Sequence, residues 1–217
     1  MKKIVSLIIL CVMICTSLVS CDNDRKYDEA EVLSAARGLI EKSHKLNELF
    51  YGKGLEFSDE GLGKYKLATK ESLEKYGIST VEDMKNMARE IFSESYANII
   101  FNSDVFSSVK IDDVIKSYAR YYQSYDDDGN PNGIMVLSDY NYSLKGTYKY
   151  SDSMEVSDVD GEIIVVKTLV SATSADGKVK NINFDVRLFE EPYGWRLVSP
   201  TYVVYNEYSD IYDNLKK

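Results

Sequence analysis

The chain has 217 residues, with 26 basic against 35 acidic side chains and a formal net charge of −9. This acidic balance argues against nucleic acid as a partner, because phosphate binding needs a basic surface. It also argues against electrostatic docking to anionic lipid, and it favours plain solubility or a cationic partner.

The first 21 residues predict an export signal. Lys2 and Lys3 precede an apolar run, residues 4–19, which is typical of a secretory signal peptide. The end of the run, Leu-Val-Ser-Cys, resembles the bacterial lipobox, in which the signal is cut just before a cysteine that receives a diacylglyceryl group. The resemblance implies a lipoprotein signal peptide at 1–20, lipid attachment at Cys21 and a lipidated tether at 21–27.

This resemblance places the protein on the extracytoplasmic face of the cell membrane, held by acyl chains such as palmitate. The alternative is an ordinary secretory signal with an incidental cysteine. Cys11, Cys15 and Cys21 are the three cysteines of the chain, so the sequence after Cys21 offers no disulfide, thiol nucleophile or thiolate metal site.

Three helices are predicted in the first half of the remaining chain. Residues 28–51 have acidic side chains in the first turn and apolar residues at a spacing of three to four. A weaker helix is predicted over 61–76. Ser79 and Glu82 have the spacing of a capping box, which would open a third helix that continues to about Asn98.

From residue 109 onward the pattern predicts mainly strands. A single helical turn is expected at 110–116, a Tyr-rich strand at 117–125, and a returning strand at 134–137. Short strands at 147–150 and 154–159 precede a closing three-stranded antiparallel meander over 161–205. In this meander, alternate residues are apolar, namely Ile182, Phe184, Val186 and Leu188.

Two patterns resemble metal sites, and neither is complete. His44, the only histidine, lies between Glu41 and Glu48 at a helical spacing, but this face is predicted to point into solvent. Residues 124–135 resemble a calcium loop in part, with Ser at its first position and Met at its last, where Asp and Glu are needed. A hairpin tip is the better interpretation, and no metal or cofactor is predicted.

The best candidate for a contact surface is the Tyr-rich hairpin, since tyrosine is enriched at interfaces. Its candidate partner-binding residues are Tyr121, Tyr122, Asp126, Asp127 and Asp128. No catalytic residue is predicted, because no nucleophile motif is present, although carboxylate or tyrosine chemistry stays open.

The order of elements, closed by Tyr193–Gly194–Trp195–Arg196, resembles NTF2-like (cystatin-like) domains. The resemblance implies an α+β fold in which N-terminal helices pack on a curved antiparallel sheet, here as a single domain over 28–217. A looser resemblance, through Arg120–Tyr121–Tyr122 and Trp195–Arg196, is to IseA-type inhibitors of cell-wall DL-endopeptidases.

The sequence therefore predicts a lipid-anchored, monomeric binding or accessory protein of the cell surface, whose partner is a protein or cell-wall ligand. Modulation of a cell-wall hydrolase is the sharpest form of this hypothesis. The alternatives are a small NTF2-like enzyme of the isomerase or dehydratase type and a solute-binding lipoprotein. The enzyme alternative predicts a desolvated carboxylate close to a tyrosine hydroxyl.

Overall fold

The computed structural model describes residues 27–111 and 114–203. The predicted signal peptide, Cys21 and most of the tether lie outside the described residues. The helices are α1 (Glu29–Tyr51), α2 (Lys70–Tyr76), α3 (Val81–Ile91) and α4 (Glu94–Phe101). The strands are β1 (Phe57–Leu62), β2 (Tyr65–Ala68), β3 (Val109–Ile111), β4 (Val114–Ser117), β5 (Tyr121–Tyr125), β6 (Pro131–Leu137), β7 (Thr147–Asp160), β8 (Ile163–Thr173), β9 (Val179–Glu191) and β10 (Gly194–Leu197).

The predicted α+β class is confirmed, and eight of the ten described strands form two four-stranded antiparallel sheets. The first sheet has the order β1-β2-β6-β5 and the second the order β10-β9-β8-β7, while β3 and β4 form a separate pair. Helix α1 contacts β7 and β10 of the second sheet, and α3 contacts both β5 and β10. One core cluster accordingly contains side chains from the helices and from both sheets.

Helix α1 begins and ends close to where the sequence predicts. The carboxylate of Asp28 accepts hydrogen bonds from the N–H groups of Ala30 (2.9 Å) and Glu31 (3.3 Å), which satisfies donors that lack a partner inside the helix. Gly52 follows the last turn, and its N–H donates to carbonyls of that turn. The buried stripe consists mainly of Val32, Ala36, Leu39, Ile40, Leu46, Leu49 and Phe50.

The helix predicted over 61–76 is wrong in its first half. Gly63 (φ 60°) lies in the turn that joins β1 to β2, Gly61 (φ 149°) pairs with Lys66 within the hairpin, and helix α2 begins only at Lys70. The three-residue spacing of Leu62 and Tyr65 is typical of a helix. Pairing of β2 with β6, in which Tyr65 lies opposite Leu137, outweighs that local signal.

The capping box before α3 lies one residue later than predicted. Thr80, not Ser79, is the N-cap, and its hydroxyl accepts from the N–H of Asp83 (3.1 Å). The Asp83 carboxylate accepts in return from the N–H of Thr80 (2.8 Å) and also from that of Ser79 (2.8 Å), and these bonds lower the pKa of Asp83. The helix ends at Ile91, and a new N-cap at Ser93 opens α4.

In the second half, the helical turn predicted over 110–116 is wrong, because the described residues on either side of 112–113 belong to two paired strands, β3 and β4. The two short strands predicted over 147–159 form one strand, β7, with register shifts between Tyr150 and Met154 and between Val156 and Asp158. The closing three-stranded meander is confirmed as β8, β9 and β10, but its last strand ends at Leu197 and does not continue toward residue 205 as predicted. Val186 and Leu188 are fully buried, and Asp185 and Arg187 between them are exposed.

Candidate partner-binding site

The β5–β6 hairpin has the acidic tip that the sequence predicts. The carboxylate of Asp126 accepts from the N–H groups of Asp128 (3.0 Å) and Asn130 (2.8 Å), and these bonds lower the pKa of Asp126. Gly129 supplies the left-handed backbone (φ 82°) that the turn needs. Asp126 is therefore used by the turn itself, and the exposed carboxylates of Asp127 and Asp128 are held at its outer end.

The base of the hairpin is fixed to the end of α1 by Arg120 and Tyr121. The buried Tyr121 hydroxyl donates to the carbonyl of Leu49 (2.8 Å) and accepts from the N–H of Leu55 (3.2 Å). Nη1 of the buried Arg120 donates to the carbonyl of Phe50 (2.8 Å). A cation at this place is favoured because the last carbonyls of a helix are unpaired and carry partial negative charge.

The loop after α1 leaves no room for a residue larger than glycine at position 54, where it contacts Arg120 and Tyr121; we call this contact the Arg120 anchor. Nη2 of Arg120 donates to the carbonyls of Gly52 and Lys53, each at 2.7 Å. Gly54 has a left-handed backbone (φ 74°), and a Cβ atom there would collide with the Tyr121 hydroxyl and with Nη2 of Arg120. The anchor thus depends on glycine next to a buried arginine.

A second contact fixes the hairpin to the start of α3. The side-chain oxygen of Gln123 accepts from the N–H of Val81 (2.9 Å), one of the first N–H groups of α3. Its amide nitrogen donates to the carbonyls of Gly133 (2.8 Å) and Ser124 (3.1 Å). The hairpin is consequently held from two sides, by α1 and by α3.

Between α3 and the hairpin lies a groove of about 420 Å³, which we call the hairpin groove. Its lining residues are Thr80, Val81, Glu82, Lys85, Phe106, Tyr121, Tyr122, Gln123, Tyr125 and Pro131. Tyr125 is 61% exposed, and Tyr122 is half-buried in an edge-to-face contact with Tyr65 (ring centroids 4.6 Å apart). Such rings offer a partner a large apolar surface at low cost in conformational entropy.

The groove carries charges of both signs on its α3 wall. The ammonium group of Lys85 lies 5.6 Å from the ring centres of both Phe101 and Phe106, a cation–π geometry. Glu82 forms an ion pair with Arg89 (2.6 Å) at the surface. The α3 wall therefore carries one charge of each sign beside the aromatic side chains of the groove.

The structure brings only part of the sequence-predicted set together at this groove. Tyr121 forms its buried base, Tyr122 and Tyr125 its hairpin wall, and Asp127 and Asp128 lie at the adjacent tip. Tyr125 belongs to the same Tyr-rich run and could have been included from the sequence. The α3 residues could not, since nothing in the sequence places that helix beside the hairpin.

His44 does not face solvent as predicted. It is half-buried, and its ring stacks on Tyr148 of β7 with centroids 4.9 Å apart. Burial lowers the pKa of His44, and the nearby Glu41 carboxylate opposes this effect in part. No group of three or more potential metal ligands occurs in the described parts of the chain, 27–111 and 114–203.

Next to His44, a buried hydrogen-bond network joins α1 to the segment after β10. Asn47 donates to the hydroxyls of Tyr148 (2.8 Å) and Thr201 (2.9 Å), and Thr201 donates to Ser43 Oγ (2.6 Å). The Tyr150 hydroxyl donates to the carbonyl of Thr201 (2.7 Å). Because each side chain has its partners inside the core, the network stabilises packing and presents no free group to a ligand.

Carboxyl groups with a shifted pKa are not of the kind that acid–base catalysis needs. Each resolved shift among the described carboxyls is a lowering, caused by hydrogen bonds at a cap, a turn or an ion pair; these are Asp83, Asp126, Asp139 and Asp176. Burial raises the pKa of several tyrosines, to about 12 for Tyr140 and Tyr148. These hydroxyls stay protonated at neutral pH and act as hydrogen-bonding groups.

A comparison with protein-family models gives no match, and a comparison with the curated proteins gives none either. Within residues 27–111 and 114–203, no helix combines the length and the apolar character that crossing a bilayer requires.

Proposed function

We propose that this protein is an exported, lipid-anchored binding or accessory protein that holds a partner protein of the cell envelope at the hairpin groove. One observation carries the proposal. The exposed ring of Tyr125 and the acidic tip at Asp127 and Asp128 stand on a base that Arg120 and Gln123 fix to two helices. A rigid surface of this kind loses little conformational entropy when a partner binds.

Attachment to the membrane by a lipid at Cys21 is part of the same proposal. Its support is the sequence of residues 2–21, with two lysines, an apolar run and a lipobox-like end at Cys21. The described domain begins with Tyr27, six residues after Cys21, so a chain of at most about 20 Å would separate it from the membrane. A partner would then be bound close to the cell surface.

A small NTF2-like enzyme is the competing interpretation, and the described side chains favour it less. That interpretation needs a desolvated carboxylate whose pKa is raised near neutrality. The inward face of the second sheet is filled by apolar side chains such as Val166, Val186 and Leu188, which pack in the core with α1. We retain the NTF2-like relationship as a proposal for the fold, supported by α1 lying on the second sheet.

Modulation of a cell-wall hydrolase is the form of the function that we propose to test first. The full-length protein in a neutral detergent, and its Tyr125→Ala variant, would be used to capture partners from envelope extracts and to inhibit the captured hydrolase. We expect Tyr125→Ala to weaken capture and inhibition about tenfold or more, since exposed aromatic anchors often carry much of the binding energy.

Tyr193→Ala is the matched control, because Tyr193 is 89% exposed at the β9–β10 turn, outside the hairpin groove. It should leave capture unchanged. Recovery of no hydrolase, or equal losses for both variants, would contradict the proposal. A thermal shift with muropeptides in the absence of any protein partner would instead support the solute-binding alternative.

A further inference from the structure

A second concave surface, separate from the hairpin groove, lies where α4 meets the turn between β7 and β8. This cleft has a volume of about 630 Å³, within the range of ligand-binding pockets. The start of α4 forms one wall, and its position is fixed because the N–H of Ser93 donates to the carbonyl of Leu197 at 2.8 Å. The β7–β8 turn and the end of β9 form the other walls.

Five of the residues that line the cleft are apolar or aromatic, and we call this group its floor. It is formed by Tyr96, Ile99, Ile163, Phe189 and Val198. Ile99 is 64% exposed, although Ala97 and Ile100 of the same helix are buried. A groove that leaves an isoleucine open to water gains free energy when an apolar side chain covers it.

The rim of the cleft is acidic. Glu94, Asp160, Glu162 and Glu191 line it, and no lysine or arginine is among its described lining residues. Glu191 is engaged within the protein, since it accepts from the N–H of Glu94 (3.2 Å) and lies 3.9 Å from Nε of Arg196. The exposed carboxylates of Glu94 and Asp160 extend the negative charge toward solvent.

We propose that this acidic cleft binds a basic amphipathic peptide segment of a second protein. The apolar floor would take leucine-like side chains, and the rim would pair with the lysine or arginine side chains that flank them. Charge complementarity selects this occupant, because Glu94 and Asp160 would repel an acidic peptide and would form no ion pair with a neutral one. The proposal concerns a surface distinct from the hairpin groove and does not depend on the function proposed for it.

A defined probe tests the cleft directly. Fluorescein-labelled Lys-Leu-Lys-Leu-Lys is titrated with the full-length protein in dodecyl maltoside, with the detergent alone as the blank, and binding is followed by anisotropy. We expect saturable binding that weakens with salt and is absent for Glu-Leu-Glu-Leu-Glu. The double variant Glu94→Gln, Asp160→Asn should weaken binding about tenfold, at about 0.5–1 kcal/mol for each charge.

The controls separate the cleft from the general acidity of the protein. Glu60→Gln with Glu71→Gln removes two exposed carboxylates elsewhere and should leave the affinity within about twofold. Ile99→Ser should weaken binding severalfold, whereas Leu62→Ser, at a residue 79% exposed on β1, should not. Absence of saturable binding, or equal losses for the two double variants, would overturn the proposal while leaving the hairpin groove untested by this assay.

Discussion

The anchor formed by Arg120 makes the sharpest prediction about stability. Its guanidinium donates to the carbonyls of Phe50, Gly52 and Lys53 and lies 4.6 Å from the ring centre of Tyr140. Its Nε has no hydrogen-bond partner among the described residues. Arg120→Met keeps much of the side-chain volume and removes the three hydrogen bonds.

The expected loss in the free energy of unfolding depends on how many carbonyl groups Arg120→Met leaves without a hydrogen-bond donor. Those of Phe50 and Gly52 belong to buried residues, whereas Lys53 is exposed and its carbonyl can bind water instead. Two buried carbonyls at about 1–3 kcal/mol each give about 2–6 kcal/mol. Part of this is regained because the variant no longer buries a cation. We expect Arg120→Met to lower the free energy of unfolding by about 3 kcal/mol.

The assay is urea unfolding followed by the fluorescence of Trp195, the only tryptophan, which lies half-buried and donates to Glu31 (3.1 Å). Arg187→Met is the matched control, since Arg187 is exposed on β9, and it should change stability by less than about 0.5 kcal/mol. Arg120→Lys should fall between wild type and Arg120→Met, because one ammonium cannot reach all three carbonyls. A loss below about 1 kcal/mol for Arg120→Met would refute the reasoning.

Three further predictions concern the hydrogen-bond network of α1, the dependence of stability on pH, and lipid attachment at Cys21. Asn47→Ala removes the donor to the buried hydroxyl of Thr201 and to the half-buried hydroxyl of Tyr148, and it should cost about 1–3 kcal/mol in the same unfolding assay. A loss no larger than that of a surface Asn→Ala variant would contradict the role of the network. Burial lowers the pKa of His44 below its ordinary 6.5, so on acidification the unfolded chain takes up this proton at a higher pH than the folded protein. The free energy of unfolding should therefore decline as the pH falls below 6.5. His44→Phe should remove that decline, and an unchanged pH profile would exclude His44 as its cause. Cys21→Ser should abolish incorporation of labelled palmitate and release the protein from membranes; retained labelling would disprove lipid attachment at Cys21.

The elements that could be predicted from the sequence are those whose signals are local. Helix α1 has acidic residues at its start, a continuous apolar stripe and Gly52 at its end. In the meander, β9 has apolar and polar residues in alternation and turn residues separate the strands, and the hairpin tip has dense turn chemistry. In these segments, local preference and tertiary packing agree.

The misassigned segments are those in which packing decides. Leu62 and Tyr65 have a helical spacing, yet the pairing of β2 with β6 makes this segment a hairpin. Both Ser79 and Thr80 have an acidic residue three positions later, so the sequence permits two capping boxes, and the structure uses the second.

The candidate site also has one part that the sequence predicts and another part that depends on the fold. The Tyr-rich hairpin is visible in the sequence, but the burial of Tyr121 is not, because its partners Leu49 and Leu55 lie about 70 residues earlier in the chain. The α3 wall of the hairpin groove and the acidic cleft both combine segments that are distant in sequence. Their positions depend on the fold and could not be inferred from motifs.

We propose that the hairpin groove is the surface that holds a partner, and photo-crosslinking from within the groove tests this proposal most directly. The full-length protein is expressed in the cells that naturally produce it, with p-benzoylphenylalanine in place of Tyr125, or in place of Tyr193 as the control. We predict a discrete crosslinked protein adduct from position 125 and none from position 193. Adducts of equal yield from both positions, or none from position 125, would contradict the account.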